Sequence, residues 1–284
     1  MDPDAEAGQA ASKIVQTTFI TLVFTACHSF QTETSTSVAT IRFTLPDSVT
    51  EKSMTVSSPQ KKKKKKTLYL TFDDGPNKGS RKVMHIAEQE QVHISMFIIG
   101  EHVYGSGEQT ATYDSMVKCD FVEVNNHSFT HANNRFGNFY SRPGDAVKDF
   151  FRCADSLRLV NNIIRTPGRN IWRTKTITST DIKKSSIAAD SLQHAGFTAI
   201  GWDLEWHYDS ELILKNSGDE LLQQVDSLFI RGKTKTPDHL VLLAHDQVYE
   251  DAADSLILHA FIKKLKTADE YNFEFISKYP GIKN

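Results

Sequence analysis

The sequence predicts an α/β fold built on a parallel sheet, and three observations carry that expectation. Seven short apolar runs, rich in β-branched and aromatic residues, lie between Leu68 and Ile276. Segments with apolar residues three and four apart fall between them. The unusual polar residues follow the runs rather than interrupt them. Strands alternating with helices imply right-handed crossovers, in a sheet either open and doubly wound or closed as a barrel, and periodicity does not choose between the two.

In chain order the runs are LYLTF (Leu68 to Phe72), ISMFII (Ile94 to Ile99), FVEV (Phe121 to Val124), NIIR (Asn162 to Arg165), FTAIGW (Phe197 to Trp202), HLVLLA (His239 to Ala244) and FEFI (Phe273 to Ile276). Helical spacing appears at Val83, Ile86 and Ala87, and again at Val147, Phe150, Phe151 and Ala154 behind a capping Asp145. It recurs at Leu221, Leu222, Val225, Leu228 and Phe229 behind Asp219, and at Leu256, Leu258, Phe261, Ile262 and Leu265. Tyr104 to Lys118 carries the weakest helical pattern. With no repeat of fixed period and no long Gly/Pro linker, residues 67–284 read as one domain.

The chain has 284 residues, 39% hydrophobic and 24% charged, as an ordinary soluble globular protein does. A net charge of -2 argues against a dedicated nucleic-acid binder. Residues 1–27 stand apart. IVQTTFITLVFTA, Ile14 to Ala26, is uncharged and follows Lys13, so it reads as a secretory apolar segment too short to span a bilayer. Its end, FTAC, resembles a bacterial lipobox in which Cys27 is lipidated. That reading places the protein outside the cytoplasm, in the bacterial cell envelope and touching the membrane only through a lipid, although Asp2, Asp4 and Glu6 depart from a basic leader.

Residues 28–66 are Ser/Thr-rich and end in the six lysines Lys61 to Lys66, which read as a self-repelling linker rather than an anionic-surface contact. Cys119 and Cys153 fit either a disulfide or two separate thiols, and neither has the spacing of a metal site. The oligomeric state stays open.

The chemistry collects where strands end. Asp73 and Asp74 close the first run, His127 and His131 follow the third, Arg165 the fourth, Trp202 to Trp206 the fifth, and His245 and Asp246 the sixth. In any parallel α/β arrangement these ends share one rim, where ligands gather. His127 and His131, four apart, face one point, and Asp74 completes a three-ligand set with positions left open. Two imidazoles and a carboxylate suit zinc or non-haem iron. Asp73 is then free to act as general base, oriented by Arg165 through a charge-assisted and even bidentate bond. His245 is the matching general acid, with Asp203 its expected partner ahead of Asp246 and Glu205.

TFDDGP (Thr71 to Pro76), HSFTH (His127 to His131), RTP (Arg165 to Pro167), WDLEW (Trp202 to Trp206) and VLLAH (Val241 to His245) resemble, in order, the five motifs of the polysaccharide deacetylases. This is carbohydrate esterase family four, with the NodB-homology domain. The resemblance covers 67–245 and implies a distorted (β/α) barrel of about seven parallel strands. It implies Asp73 as catalytic base, Asp74, His127 and His131 as ligands of a divalent metal, most often Zn2+, His245 as catalytic acid, and Arg165 as the group orienting Asp73. It implies further that Leu243 and Trp206 line the acetyl pocket, that Ser128 steadies the metal loop, and that a backbone N–H at Gly168 stabilises the oxyanion.

Two departures are visible. Gly168 stands where the third motif carries an aromatic residue, so that Arg169 or Trp172 is expected to refill the wall. The fourth motif, D-L-E-W, is one residue shorter than D-x-x-D-W. The implied activity is metal-dependent removal of N-acetyl groups from amino sugars of a glycan, such as peptidoglycan or a chitin-like polymer. O-acetyl ester removal from a xylan-like polymer and a catalytically weak glycan-binding lipoprotein are the alternatives.

Overall fold

The structure, a computed structural model, describes residues 64–282. The expectations for 1–27, and for the linker up to residue 63, lie outside the described residues. In chain order the strands are β1 (Lys66–Gly75), β2 (Ile94–Ile98), β3 (Val122–Asn126), β4 (Ile163–Ile164), β5 (Ile171–Arg173), β6 (Thr178–Thr180), β7 (Thr198–Ala199), β8 (Leu204–Glu205), β9 (His239–His245) and β10 (Tyr271–Phe273). The helices are α1 (Lys78–Glu90), α2 (Gly100–Val103), α3 (Gly107–Lys118), α4 (Phe136–Tyr140), α5 (Pro143–Leu157), α6 (Ser186–His194), α7 (Gly218–Ile230) and α8 (Ala252–Thr267). None is long and apolar enough to cross a membrane.

One parallel path, β7-β4-β3-β2-β1-β9-β8, forms a curled half-barrel. Antiparallel β5 and β6 are added beyond β7, so β8 and β7 do not close the ring on each other. The seven strands of this path match the expected number but not the expected membership. Of the FEFI run only Phe273 lies in a strand, as the last residue of β10, which pairs only with the start of β1, while Ile276 opens a 3-10 turn; the seventh place belongs to β8 inside the WDLEW motif.

Both faces of the sheet are covered, which is why the central strands read as unbroken apolar runs. The period of two sorts β1 cleanly. Leu68, Leu70 and Phe72 pack outward with residues of α1 and α8, while Tyr69 lies inward against Phe97, Ile163, Trp172 and Val241. Thr71 and Asp73 share that inward parity, as do Leu243 and His245 on β9 in register with them. Strand alternation thus delivers two chemical groups to the mouth of the half-barrel.

Helix starts follow capping chemistry more than the apolar pattern. α7 begins behind Ser217, whose capping box with Glu220 replaces the expected Asp219. α5 begins at Pro143, two residues before Asp145. The weak 104–118 pattern is a helix from Gly107, capped by Ser106. α6 was not expected because its buried stripe is only Ala188, Ala189 and Leu192.

The lysine run does not end as linker. Lys66 opens β1 and lies 4.8 Å over the Phe229 ring, Lys65 pairs with Asp269, and Lys64 lies 3.6 Å from Asp238. Cys119 and Cys153 are both free thiols, and burial raises both pKa values, that of Cys153 to about 12.

Candidate active site

Neighbouring residues of a strand point to opposite faces, so Asp73 and Asp74 can face one site only if the strand breaks its alternation. It does so here. The pairing of β1 with β2 shifts register between Asp73 and Gly75, and Asp74 has φ 80°. This bulge turns Asp74 into the same cleft as Asp73, where Asp73 sits opposite His245. Beyond it, Asn77 caps α1, and Gly79 lets the first helical turn lie directly on the segment after β9. A Cβ at Gly79 would stand 1.8 Å from the Asp246 carbonyl oxygen.

The three expected ligands converge. His127 Nδ1 lies 2.9 Å from the Arg165 carbonyl oxygen, and His131 Nδ1 lies 3.2 Å from Asn134 Oδ1. Those oxygens can only accept, so each ring donates Nδ1–H and keeps its lone pair on Nε2. The two Nε2 atoms lie 3.4 and 3.3 Å from Asp74 Oδ1, which is buried and has no hydrogen-bond partner among the described residues. All three ligand atoms fall within 4.8 Å of one another. Lone pairs gathered this closely in a buried place repel unless a cation lies between them, so the donor set fits a divalent metal.

Burial pushes the Asp74 carboxyl up, but His127, His245 and His131 outweigh it and hold it well below the usual carboxylate range. Burial pushes His127 down, and Asp73 and Asp74 reverse that, whereas burial and His127 leave His131 lowered. His131 is aimed by a left-handed turn. His131, Ala132, Asn133 and Asn134 have φ of 48°, 56°, 47° and 56°, a conformation that costs roughly 1–2 kcal/mol for each non-glycine residue.

Asp73 is held by Arg165, which is fully buried. Arg165 Nη1 donates to Asp73 Oδ1 at 2.9 Å and to Thr71 Oγ1 at 2.7 Å, Nη2 donates to the Gly201 carbonyl and Nε to that of Ile200. The contact with Asp73 is therefore single, not the bidentate fork the sequence allowed. Phe97 lies beneath the guanidinium at 4.2 Å. Burial lowers the Arg165 pKa and Asp73 opposes it. Asp73 Oδ2 stays on the cleft side, 3.6 Å from His127 Nε2. One oxygen is anchored and the other faces the ligand set.

The acid side differs from expectation. His245 reaches the cleft and meets the Tyr208 ring edge-on at 5.1 Å, but its buried Nδ1 has no partner among the described residues. Asp203 is not that partner. Its oxygens accept from the backbone N–H groups of Lys235 (2.6 Å) and Val241 (2.8 Å), tying the turn before β8 to the start of β9. Burial raises its pKa. Asp246 is also engaged elsewhere, accepting from Asn77 Nδ2 at 2.6 Å and from the Ser80 hydroxyl. Glu205 lines the cleft and lies 3.4 Å from His207.

The cleft has a volume of about 770 Å³. Leu243 and Gly168 line it as expected. Trp206 does not: it is buried behind the sheet, donating Nε1–H to the Asn216 carbonyl and packing on Tyr249 and Phe261, and Trp202 lines the cleft instead. The wall beside Gly168 is refilled by neither Arg169 nor Trp172. Trp172 is fully buried, and Arg169 turns its guanidinium onto the Gly168 carbonyl and the Tyr140 ring.

Phe136 takes that place. Gly168 has φ 62°, and a Cβ there would meet the Phe136 ring at 3.1 Å. Ser128 steadies the loop through its backbone, while its buried hydroxyl has no partner among the described residues. Sequence reasoning missed Phe136, Tyr208 and His102, whose Nδ1 lies 3.0 Å from the Asp74 carbonyl oxygen. Tyr208 stands two residues beyond the fourth motif, a proximity that could have found it; Phe136 and His102 carry no such signal.

The family model for polysaccharide deacetylase matches residues 60–165. A peptidoglycan-N-acetylglucosamine deacetylase of Bacillus cereus is 26% identical over 219 residues, covering 75% of this chain and 69% of that protein. The chain spans from 48% to 69% of the length of the curated relatives it matches. Among solved structures, the polysaccharide deacetylase Bc1974 from Bacillus cereus aligns with a TM-score of 0.54 at 22% identity, over 76% of this chain and 94% of that one. The catalytic domain of a peptidoglycan N-acetylglucosamine deacetylase from Eubacterium rectale aligns with a TM-score of 0.56 at 19% identity, over 78% and 94%. At such identities the structural likeness speaks for the fold.

Proposed function

The chain belongs to the polysaccharide deacetylase family, and from that premise we infer that it hydrolyses N-acetyl groups from the amino sugars of a glycan, using a divalent cation held by Asp74, His127 and His131. The observation that carries this reading is the convergence of two Nε2 lone pairs on the unpartnered Asp74 Oδ1, with a second carboxylate oxygen, Asp73 Oδ2, left free beside them. Zinc is favoured over iron because amide hydrolysis involves no change of oxidation state. When bound, such a cation polarises the acyl oxygen and acidifies water.

The remaining steps belong to the protein. Asp73 Oδ2 accepts the proton of the attacking water, while Arg165 holds the other oxygen in place. His245 donates a proton to the nitrogen as the C–N bond breaks, so that acetate and a free amine leave. The Gly168 N–H serves the developing oxyanion, and Leu243 packs on the acetyl methyl. Among the described residues no lysine or arginine lines the cleft, in keeping with neutral sugars at the reacting position. The apolar stretch before Cys27 supports an exported, lipid-anchored enzyme acting on envelope glycan.

The test is to incubate the full chain with N-acetylglucosamine oligomers and with O-acetylated xylan, with and without a chelator, and to measure free amine and acetate. The reading expects chelator-sensitive release of both from the oligomers. Acetate from xylan with no amine from the oligomers assigns the site to esters instead.

A further inference from the structure

The cleft wall next to His131 is an aromatic ring for which the hydrolysis has no use. Phe136 opens α4 and is half-buried, meeting His131 edge-on with 5.6 Å between centroids and 87° between planes. Its position is set by more than that contact. The ring covers Gly168, and four residues on, Tyr140 donates its buried hydroxyl to the Pro167 carbonyl oxygen at 2.6 Å. α4 is thus pinned to the segment that carries Gly168, and the ring is held where it borders the reacting centre.

A phenylalanine fully withdrawn from water stabilises a fold in proportion to the apolar area it buries. One left partly uncovered beside acidic and imidazole groups forgoes part of that gain. The C–H faces of a pyranose are the apolar surface that such a ring can cover, and a few aromatic walls with convergent polar groups are the ordinary make-up of a ligand cleft. Trp202, also half-buried, lines the same cleft.

We propose that Phe136 is a stacking platform for the sugar next to the one that loses its acetyl group, so that the site selects glycan chains over small acetylated compounds. This rests on the reading of the chain as a glycan deacetylase. The platform acts on affinity for chains, and the metal, the base and the acid work without it.

The experiment compares the full-length protein with Phe136→Ala and Phe136→Trp on an N-acetylglucosamine hexamer and on 4-nitrophenyl acetate, which is too small to reach past the reacting centre. Hexamer binding by calorimetry and bound metal are measured alongside. Phe136→Ala is expected to raise KM and Kd for the hexamer about tenfold with little change in kcat. The loss should fall far more heavily on the hexamer than on the aryl acetate, with metal retained, and Phe136→Trp should restore hexamer affinity. Unchanged hexamer binding, no hexamer binding in the parent, or equal losses on both substrates with loss of metal overturns the proposal. Binding that depends on Phe136 without any acetate release supports the platform and sinks the hydrolytic reading instead.

Discussion

On one side of the cleft the base and both imidazole ligands have a second contact that fixes them: Asp73 has Arg165, His127 has the Arg165 carbonyl, His131 has Asn134. On the other side His245 has a buried Nδ1 with no partner among the described residues, and Asp203 spends both oxygens on backbone N–H groups of Lys235 and Val241. The first side is organised before any substrate arrives. The second leaves the acid's orientation to Tyr208 packing and to whatever the substrate contributes. Arg165 explains much of this asymmetry, since one buried guanidinium serves the base through its side chain while its carbonyl sets a ligand tautomer.

The comparison is open to direct attack. Asp74→Ala should have the largest effect, removing both bound metal by elemental analysis and all measurable amine release. Asp73→Asn should lower kcat by about 10⁴-fold, near the upper end for a general base, with metal retained. His245→Ala should lower kcat by only about 10²-fold, because a loosely held acid contributes less. Equal losses in these two variants would erase the difference between the sides.

Asp203→Asn should leave activity and its pH profile unchanged while costing roughly 1–2 kcal/mol of stability in denaturant unfolding, from the two backbone bonds it weakens. A shifted acid limb would restore Asp203 as the partner of His245.

The smallest effect concerns the joint between the sides. Burial raises the Asp246 carboxyl to about 7 despite the bonds from Ser80 and Asn77. A raised carboxyl favours the fold in its protonated form, so its contribution is complete below the ordinary carboxylate range and is lost as pH rises through about 7. The Tm should drop by a few degrees between about pH 5 and pH 8, and Asp246→Asn should flatten that part of the profile in calorimetry.

The sequence made the well-anchored side legible and the other side much less so. Strand ends and the four-residue spacing of His127 and His131 are local facts, and they led to the ligand set directly. Asp203 and Trp206 were misplaced because the WDLEW segment is not one continuous strand. β7 ends at Ala199 and β8 starts at Leu204, so side-chain parity cannot be carried across the intervening turn. β8 and the β5–β6 pair were missed for a related reason: runs that short leave no period to read. Phe136 reaches the cleft through α4 packing on a glycine 32 positions later, a tertiary contact with no local trace.

The bulge in β1 gives this arrangement an unusual kind of fragility. Deleting a single amino acid there would restore regular pleating and send one of the two acids outward among Leu70 and Phe72, where no solvent waits for it. Compensating substitutions elsewhere could not repair such a loss, because what is counted is odd against even.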